Sequence, residues 1–228
     1  MYAYYYGEVI RRYRVHCSVV SFWVSGFLSL GSFALVLWVN DYATSYATLR
    51  ASNPVTDIIL SNTPAFDVDG YFVYGAALLI AFIFFVLVLN PQQIPFTLYS
   101  LSIFYLTRAL FISLTHLGPF PTRTPIEFST NIGQFLSGVF FGGDDLFFSA
   151  HTGAPFLMAL VFWRQPVLRY IFLAWSIFFG VIVLLGHIHY TIDVASAFFI
   201  SFGIFHLTMW LFSKAHKLFL AETTEQPS

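Results

Sequence analysis

Charge is scarce in this chain. Asp, Glu, Lys and Arg make up 9% of its 228 residues and 58% are hydrophobic, whereas a soluble domain carries about 25% charged residues. That deficit excludes an ordinary water-solvated surface, and the expected class is an integral membrane protein. Lysine occurs only at 214 and 217. With a formal net charge of −1, the chain lacks the basic footprint that repays phosphate counterion release, so no nucleic-acid partner is expected. The single cysteine, Cys17, excludes an intramolecular disulfide and a cysteine-built metal cluster. Internal repeats and low-complexity tracts are missing as well.

What is there instead is a series of long apolar runs. Six of them, at about 18–40, 71–89, 94–116, 150–164, 168–187 and 190–212, reach or approach the roughly 20 helical residues that cross a bilayer core. The fourth is the shortest. The first exceeds the roughly 7–15 residues of a signal-peptide core and no clear cleavage signal follows it, so it reads as a true span. The expected fold is all-α, a six-transmembrane-helix bundle. One membrane catalytic domain, 18–212, lies between an interfacial segment, 1–17, and a polar tail, 213–228.

Basic residues set the expected orientation. Arg11, Arg12, Arg14, Arg164, Arg169, Lys214 and Lys217 fall on one side, Arg50 and Arg123 on the other, and Arg108 lies within the third span. Short loops rich in Lys and Arg stay cytoplasmic, which puts both termini there. Loops 41–70 and 117–149 and the turn 187–190 then face the exoplasmic, lumenal or periplasmic side, with Asp41, Asp57, Asp67, Asp69, Glu127, Asp144 and Asp145. Tyr2, Tyr4, Tyr5, Tyr6 and Tyr13 beside the N-terminal arginines read as an interfacial anchor.

Two histidine motifs carry the chemistry: Ser149-Ala150-His151-Thr152 at the start of the fourth span and His189-Tyr190-Thr191-Ile192-Asp193-Val194 at the start of the sixth. In an antiparallel bundle both reach one membrane depth. A spacing of four sets His189 and Asp193 on one helical face, where the carboxylate holds one ring nitrogen and leaves the other free to attack. Arg108, an ionisable residue inside a span, marks a functional site by default, and a phosphate is its natural partner. If Ser149 or Thr152 caps the fourth helix, Pro155 falls near its first turn and free backbone donors point at an anion.

The remaining histidines read more plainly. His16 and His216 sit with the basic clusters at the cytoplasmic interface. His206, 13 residues beyond Asp193 and so about 20 Å deeper, reads as a packing residue inside the bundle. His116 and His187, at outer helix ends, could line the site.

Asp145-Leu-Phe-Phe-Ser-Ala-His-Thr152 resembles the third motif of the sphingomyelin synthases, with Ala150 where that family has glycine. His189-Tyr-Thr-Ile-Asp-Val194 is similar to their fourth motif over all six residues. These enzymes are relatives of the type 2 phosphatidic acid phosphatases. Pro54-Val-Thr-Asp57 resembles the family's Pro-Leu-Pro-Asp motif, Arg108 sits where its arginine-led motif begins, and Glu127 falls where it has a glutamate. The resemblance implies a metal-free, cofactor-free transfer in two steps. His189, oriented by Asp193, attacks the phosphorus of a phospholipid donor, and His151 protonates the departing diacylglycerol. A ceramide or diacylglycerol acceptor then takes the headgroup from phosphohistidine. Glu127 or Asp145 could orient His151, Arg108 could offset phosphate charge, and Asp57 is a possible loop contact.

The phosphatase relatives carry an arginine six residues before the equivalent of His189; here that position is Val183. A site this poor in cations favours a singly charged phosphodiester over a doubly charged monoester. Hydrolysis at the same His/His/Asp site, as in a phospholipase C or lipid phosphatase, is the main alternative. A haem or iron protein lacks support because the histidines form no clustered boxes. A non-catalytic transporter or lipid-binding protein lacks a polar path through the cytoplasmic halves of the spans.

Overall fold

The computed structural model describes residues 2–123 and 146–220. Among them the chain forms helices and no strands. The α-helices are α1 Tyr2–Cys17, α2 Val20–Leu49, α3 Asp69–Leu89, α4 Ile94–Leu114, α5 Ala150–Val161, α6 Pro166–Leu185, α7 Thr191–Leu211 and α8 Ser213–Leu220. Short 3-10 turns occupy Leu60–Asn62 and Pro91–Gln93.

Five of these are long and apolar enough to cross a membrane: α2, α3, α4 with the turn preceding it, α6 and α7. The expected fourth span is α5, with 12 residues. At 1.5 Å per residue it covers about 18 Å, short of a 30 Å hydrocarbon core. The six-span expectation therefore becomes five long helices and one short apolar helix. The shortening has a local cause: Pro166 holds Gln165 in an extended conformation (φ −105°, ψ 94°), which ends helical structure before it.

A second correction concerns α2. The first outer loop was expected from residue 41, but α2 continues to Leu49. No Gly or Pro interrupts 41–49, and Ala43 and Ala47 pack on Ala109 and Ile112 of α4. Burial of that face carries the helix past its apolar run.

Exposed Trp38, Phe84, Phe199 and Trp210 give the long helices an outer surface suited to lipid, consistent with an integral membrane protein. Lipid tails are as apolar as leucine, so helix association rests on close packing and buried polar contacts. The sequence supplies small residues for both. Ser32 Oγ and Ser102 Oγ meet at 3.4 Å between α2 and α4. On α5, a Cβ at Gly153 would stand 2.9 Å from the Phe104 ring and 3.0 Å from Ser201 Oγ, so only glycine lets α4 and α7 approach this closely. Phe104, Phe148, Leu157, Met158, Phe172 and Phe179 fill the centre. At the other end, Tyr13 Oη donates to Val88 O at 2.8 Å and Arg12 bonds Asn90, docking α1 on the α3–α4 corner.

Candidate active site

The geometry begins where α6 gives way to α7. After Gly186 the chain turns through His187 in the left-handed region (φ 51°), and the N–H groups of Ile188 and His189 both reach Val183 O, at 2.8 and 3.3 Å. Tyr190 is extended and caps α7. Asp193, in the first turn, folds its carboxylate back: Oδ2 accepts from Tyr190 N at 3.0 Å and meets His189 Nδ1 at 3.2 Å.

The contact between His189 and Asp193 exists, but its cause differs from the expected one. His189 precedes the helix, and a helix-capping carboxylate reaches it across the turn. Both side chains are buried. A buried carboxylate can only accept, so Nδ1 carries the proton and Nε2 keeps its lone pair. Asp193 Oδ1 has no hydrogen-bond partner among the described residues.

The second motif is joined to the first through the backbone. Ser149 N donates to Asp193 O at 3.1 Å. Its hydroxyl caps α5, accepting from Thr152 N at 3.4 Å. Just before it, Phe147 (φ 142°) and Phe148 (φ 20°) occupy backbone conformations that favour glycine. Phe148 is held there by edge-on packing against Phe104, 5.3 Å between centroids. The strain sits directly beside His151.

Pro155 lies inside α5 rather than near its first turn. Lacking an N–H, it cannot close the helical bond to the His151 carbonyl. Ser176 of α6 and Ser201 of α7 donate to the neighbouring carbonyls of Thr152 (2.8 Å) and Gly153 (3.1 Å). These buried serines escaped the sequence reading; small polar residues inside apolar spans were the available signal. The His151 ring packs on Phe72 and Phe179, with centroids at 4.3 and 5.7 Å. It lies within electrostatic range of both His189 and Arg108.

Arg108 does not snorkel to the surface. It is buried in α4, and its Nη1 donates to Asn40 Oδ1 of α2 at 3.3 Å. Asn40 is a further residue missed in the sequence.

Asp57 holds the start of α7 in place. Its Oδ2 accepts from Thr191 N at 2.7 Å, and its Oδ1 from Thr191 Oγ1 (2.8 Å), Ile59 N (2.9 Å) and Leu60 N (3.1 Å). Burial opposes ionisation of Asp57, but the bonds from Thr191, Leu60 and Ile59 outweigh it and hold the carboxyl below its ordinary 3.8. A depressed folded value means stability present above about pH 4 and lost as pH falls through the folded value. Asp57→Asn should lower stability by about 2 kcal/mol at neutral pH. In melting curves, the gap between wild type and variant should narrow below about pH 4; a gap independent of pH would contradict this role.

Tyr190 and His187 close the outer loops over this end. Tyr190 Oη donates to Gly118 O at 2.8 Å and accepts from Val55 N at 3.2 Å. His187 Nδ1 meets Thr122 Oγ1 at 2.6 Å and its Nε2 meets Thr63 Oγ1 at 3.4 Å. It thus spans two loops. His116 packs edge-on against Tyr46. His206 was expected inside the bundle; it is exposed on α7, against Phe202 and Phe205. Glu127 and Asp145, the expected orienting acids for His151, lie outside the described residues.

Residues 143–210 match the family model described as PAP2 superfamily C-terminal. The match spans both histidine motifs and supports membership of the type 2 phosphatidic acid phosphatase superfamily. It supports an enzyme of lipid phosphatase or phosphotransferase type. No curated protein and no solved structure matches the chain.

Proposed function

We propose that this protein transfers a phosphorylated headgroup from a glycerophospholipid to a lipid alcohol such as ceramide, in the manner of a sphingomyelin synthase. The observation that carries this reading is the 3.2 Å pairing of His189 Nδ1 with buried Asp193, on the same short piece of backbone that accepts from Ser149 N two residues before His151. In this reading His189 is the nucleophile, and His151, within electrostatic range of it, is the proton donor.

In the first step, His189 Nε2 attacks the donor phosphorus and the bond from phosphorus to the diacylglycerol oxygen breaks. His151 gives that oxygen its proton. Asp193 accepts the Nδ1–H bond and stabilises the positive charge that develops on the ring. In the second step the acceptor hydroxyl attacks phosphohistidine, the phosphorus–nitrogen bond breaks, and His151 takes back a proton. Arg108 offsets the phosphate's negative charge.

The supply of cations favours a diester donor. A phosphate monoester carries about −1.5 to −2 at neutral pH, a diester one charge. The lysines are at 214 and 217 only, both on α8, beyond the end of α7 opposite Asp193, and Arg108 lies in electrostatic range of His151. The site is assigned to the exoplasmic, lumenal or periplasmic face by the positive-inside rule.

The test uses purified protein in liposomes with fluorescent ceramide and mixed phosphatidylcholine, phosphatidylethanolamine and phosphatidylinositol, with products followed by mass spectrometry. A phosphosphingolipid that depends on His189 is the expected result, and it names the headgroup. Diacylglycerol with free phosphorylated headgroup would make water the acceptor and the protein a hydrolase. No His189-dependent turnover of any lipid would overturn the reading.

A further inference from the structure

A second site lies at the opposite end of the bundle. A cavity of about 360 Å³ opens where α5, α7 and α8 meet, with Leu160, Phe202, Phe205 and Met209 among its walls and Arg164 and His216 at its polar part. Its volume falls within the range of small-molecule sites. From Asp193 to Met209 is 16 residues of α7, about 24 Å of rise, so this cavity is separate from the histidine pair.

Among the described residues its lining carries basic side chains and no acidic one. Between Ser149 and Leu220 the only acidic residue is Asp193, at the far end of α7. Arg164, Arg169, Lys214, His216 and Lys217 all belong to the elements around the cavity. The Arg169 guanidinium lies over the rings of Trp163 (4.9 Å) and Tyr170 (4.6 Å), the aromatic and basic pairing that sits at headgroup level. An apolar chamber with a cationic mouth at that level matches an amphiphile with a hydrocarbon chain and an anionic head.

We propose that this cavity binds an anionic glycerophospholipid from the leaflet at the basic end, with an acyl chain between α5 and α7 and the headgroup phosphate at Arg164 and His216. Arg164 supplies a fixed charge. Burial, and then the charge of Arg164, depress the His216 pKa below 6.5, so at neutral pH its ring is an uncharged donor beside that charge. The bound lipid is a separate occupant from any substrate at the histidine end, and its binding needs no turnover.

Native mass spectrometry of the full chain, in detergent micelles containing phosphatidylserine or phosphatidylcholine, tests this directly. Wild type should retain phosphatidylserine in preference to phosphatidylcholine. Arg164→Gln should weaken that binding roughly tenfold, the scale of one charge-assisted contact. Lys217→Gln makes the same charge change at an exposed position outside the cavity wall and should have little effect. Met209→Trp fills the chamber without touching the cation and should also reduce retention, which separates this site from lipid held at the histidine end and keeps the test decisive if Arg164→Gln does not fold. Equal weakening by Lys217→Gln and Arg164→Gln, undiminished binding in Met209→Trp, or no preference for phosphatidylserine would each overturn the proposal.

Discussion

His189→Ala should abolish headgroup transfer, by about 10⁴-fold or more, the scale seen when a member of a nucleophilic unit is removed. The loss follows from the chemistry of the turn: with Nδ1 engaged by Asp193, Nε2 is the lone pair directed at substrate, and nothing replaces it in alanine. The protein should still fold. His189 lies in a connector, and the substitution leaves Asp193 bonded to Tyr190 N at 3.0 Å. The structural cost is that of one contact to a charged group, about 1–3 kcal/mol. Asp193→Asn offers a sharper comparison. It preserves shape, because the amide oxygen can still accept from both Tyr190 N and Nδ1, but it removes the negative charge that stabilises the ring as it becomes positive in the attack. Its turnover should fall with substrate KM little changed. Lipid turnover and thermal melting, measured side by side, separate these effects; a His189→Ala protein that folds and transfers at the wild-type rate contradicts the assignment.

Gly118→Ala should be the most damaging added methyl among the described glycines of the outer loops. A Cβ there would stand 2.0 Å from the backbone carbonyl oxygen of Ser52 and 3.0 Å from the Asn53 carbonyl carbon. Backbone cannot swing aside as a side chain can, so the two loop segments must separate. Three contacts lie along that seam: Ser52 N to His116 O at 2.8 Å, Tyr190 Oη to Gly118 O at 2.8 Å, and Val55 N to Tyr190 Oη at 3.2 Å. Overpacking of this kind costs about 3 kcal/mol, a fall in melting temperature of roughly 6–12 °C for a chain of this size. Tyr190 also gives Asp193 its backbone bond, so activity should fall along with stability. Gly26→Ala is the control: a Cβ there meets nothing within 4 Å and Ala suits a helix interior better than Gly, so the melting temperature should not fall.

The sequence revealed helices wherever apolar runs end at polar or proline punctuation. Pro166 and Gly186 bracket α6, and Asn90-Pro91 separates α3 from α4; these boundaries follow from local backbone rules. The end of α2 was not legible in this way, because its last turns are held by alanine packing on α4, a tertiary effect. The length of α5 was hidden for the opposite reason: hydropathy continues through Phe162 and Trp163 after the helix has stopped.

The histidine motifs were legible from residue type and spacing, and the contact of His189 with Asp193 was anticipated through helical periodicity although the capping turn produces it. Other features depend on chain segments distant in sequence. The bond from Ser149 N to Asp193 O, the serines that bond α5 carbonyls and the Asn40 partner of Arg108 have no local signature. Asp57 stood out as a motif echo, but only the folded loop shows that it grips Thr191. His206 was misplaced because its depth along α7 was readable and its direction around the helix was not.

The most direct measurement of the central claim is capture of the covalent intermediate. Protein mixed with donor phospholipid and no acceptor, quenched in alkali to preserve phosphohistidine, is digested and examined by mass spectrometry. The account predicts a phosphorylated-headgroup adduct on the peptide carrying His189, absent in His189→Ala and discharged when ceramide is added before the quench. Transfer activity with no adduct, or an adduct on His151 instead, would contradict it.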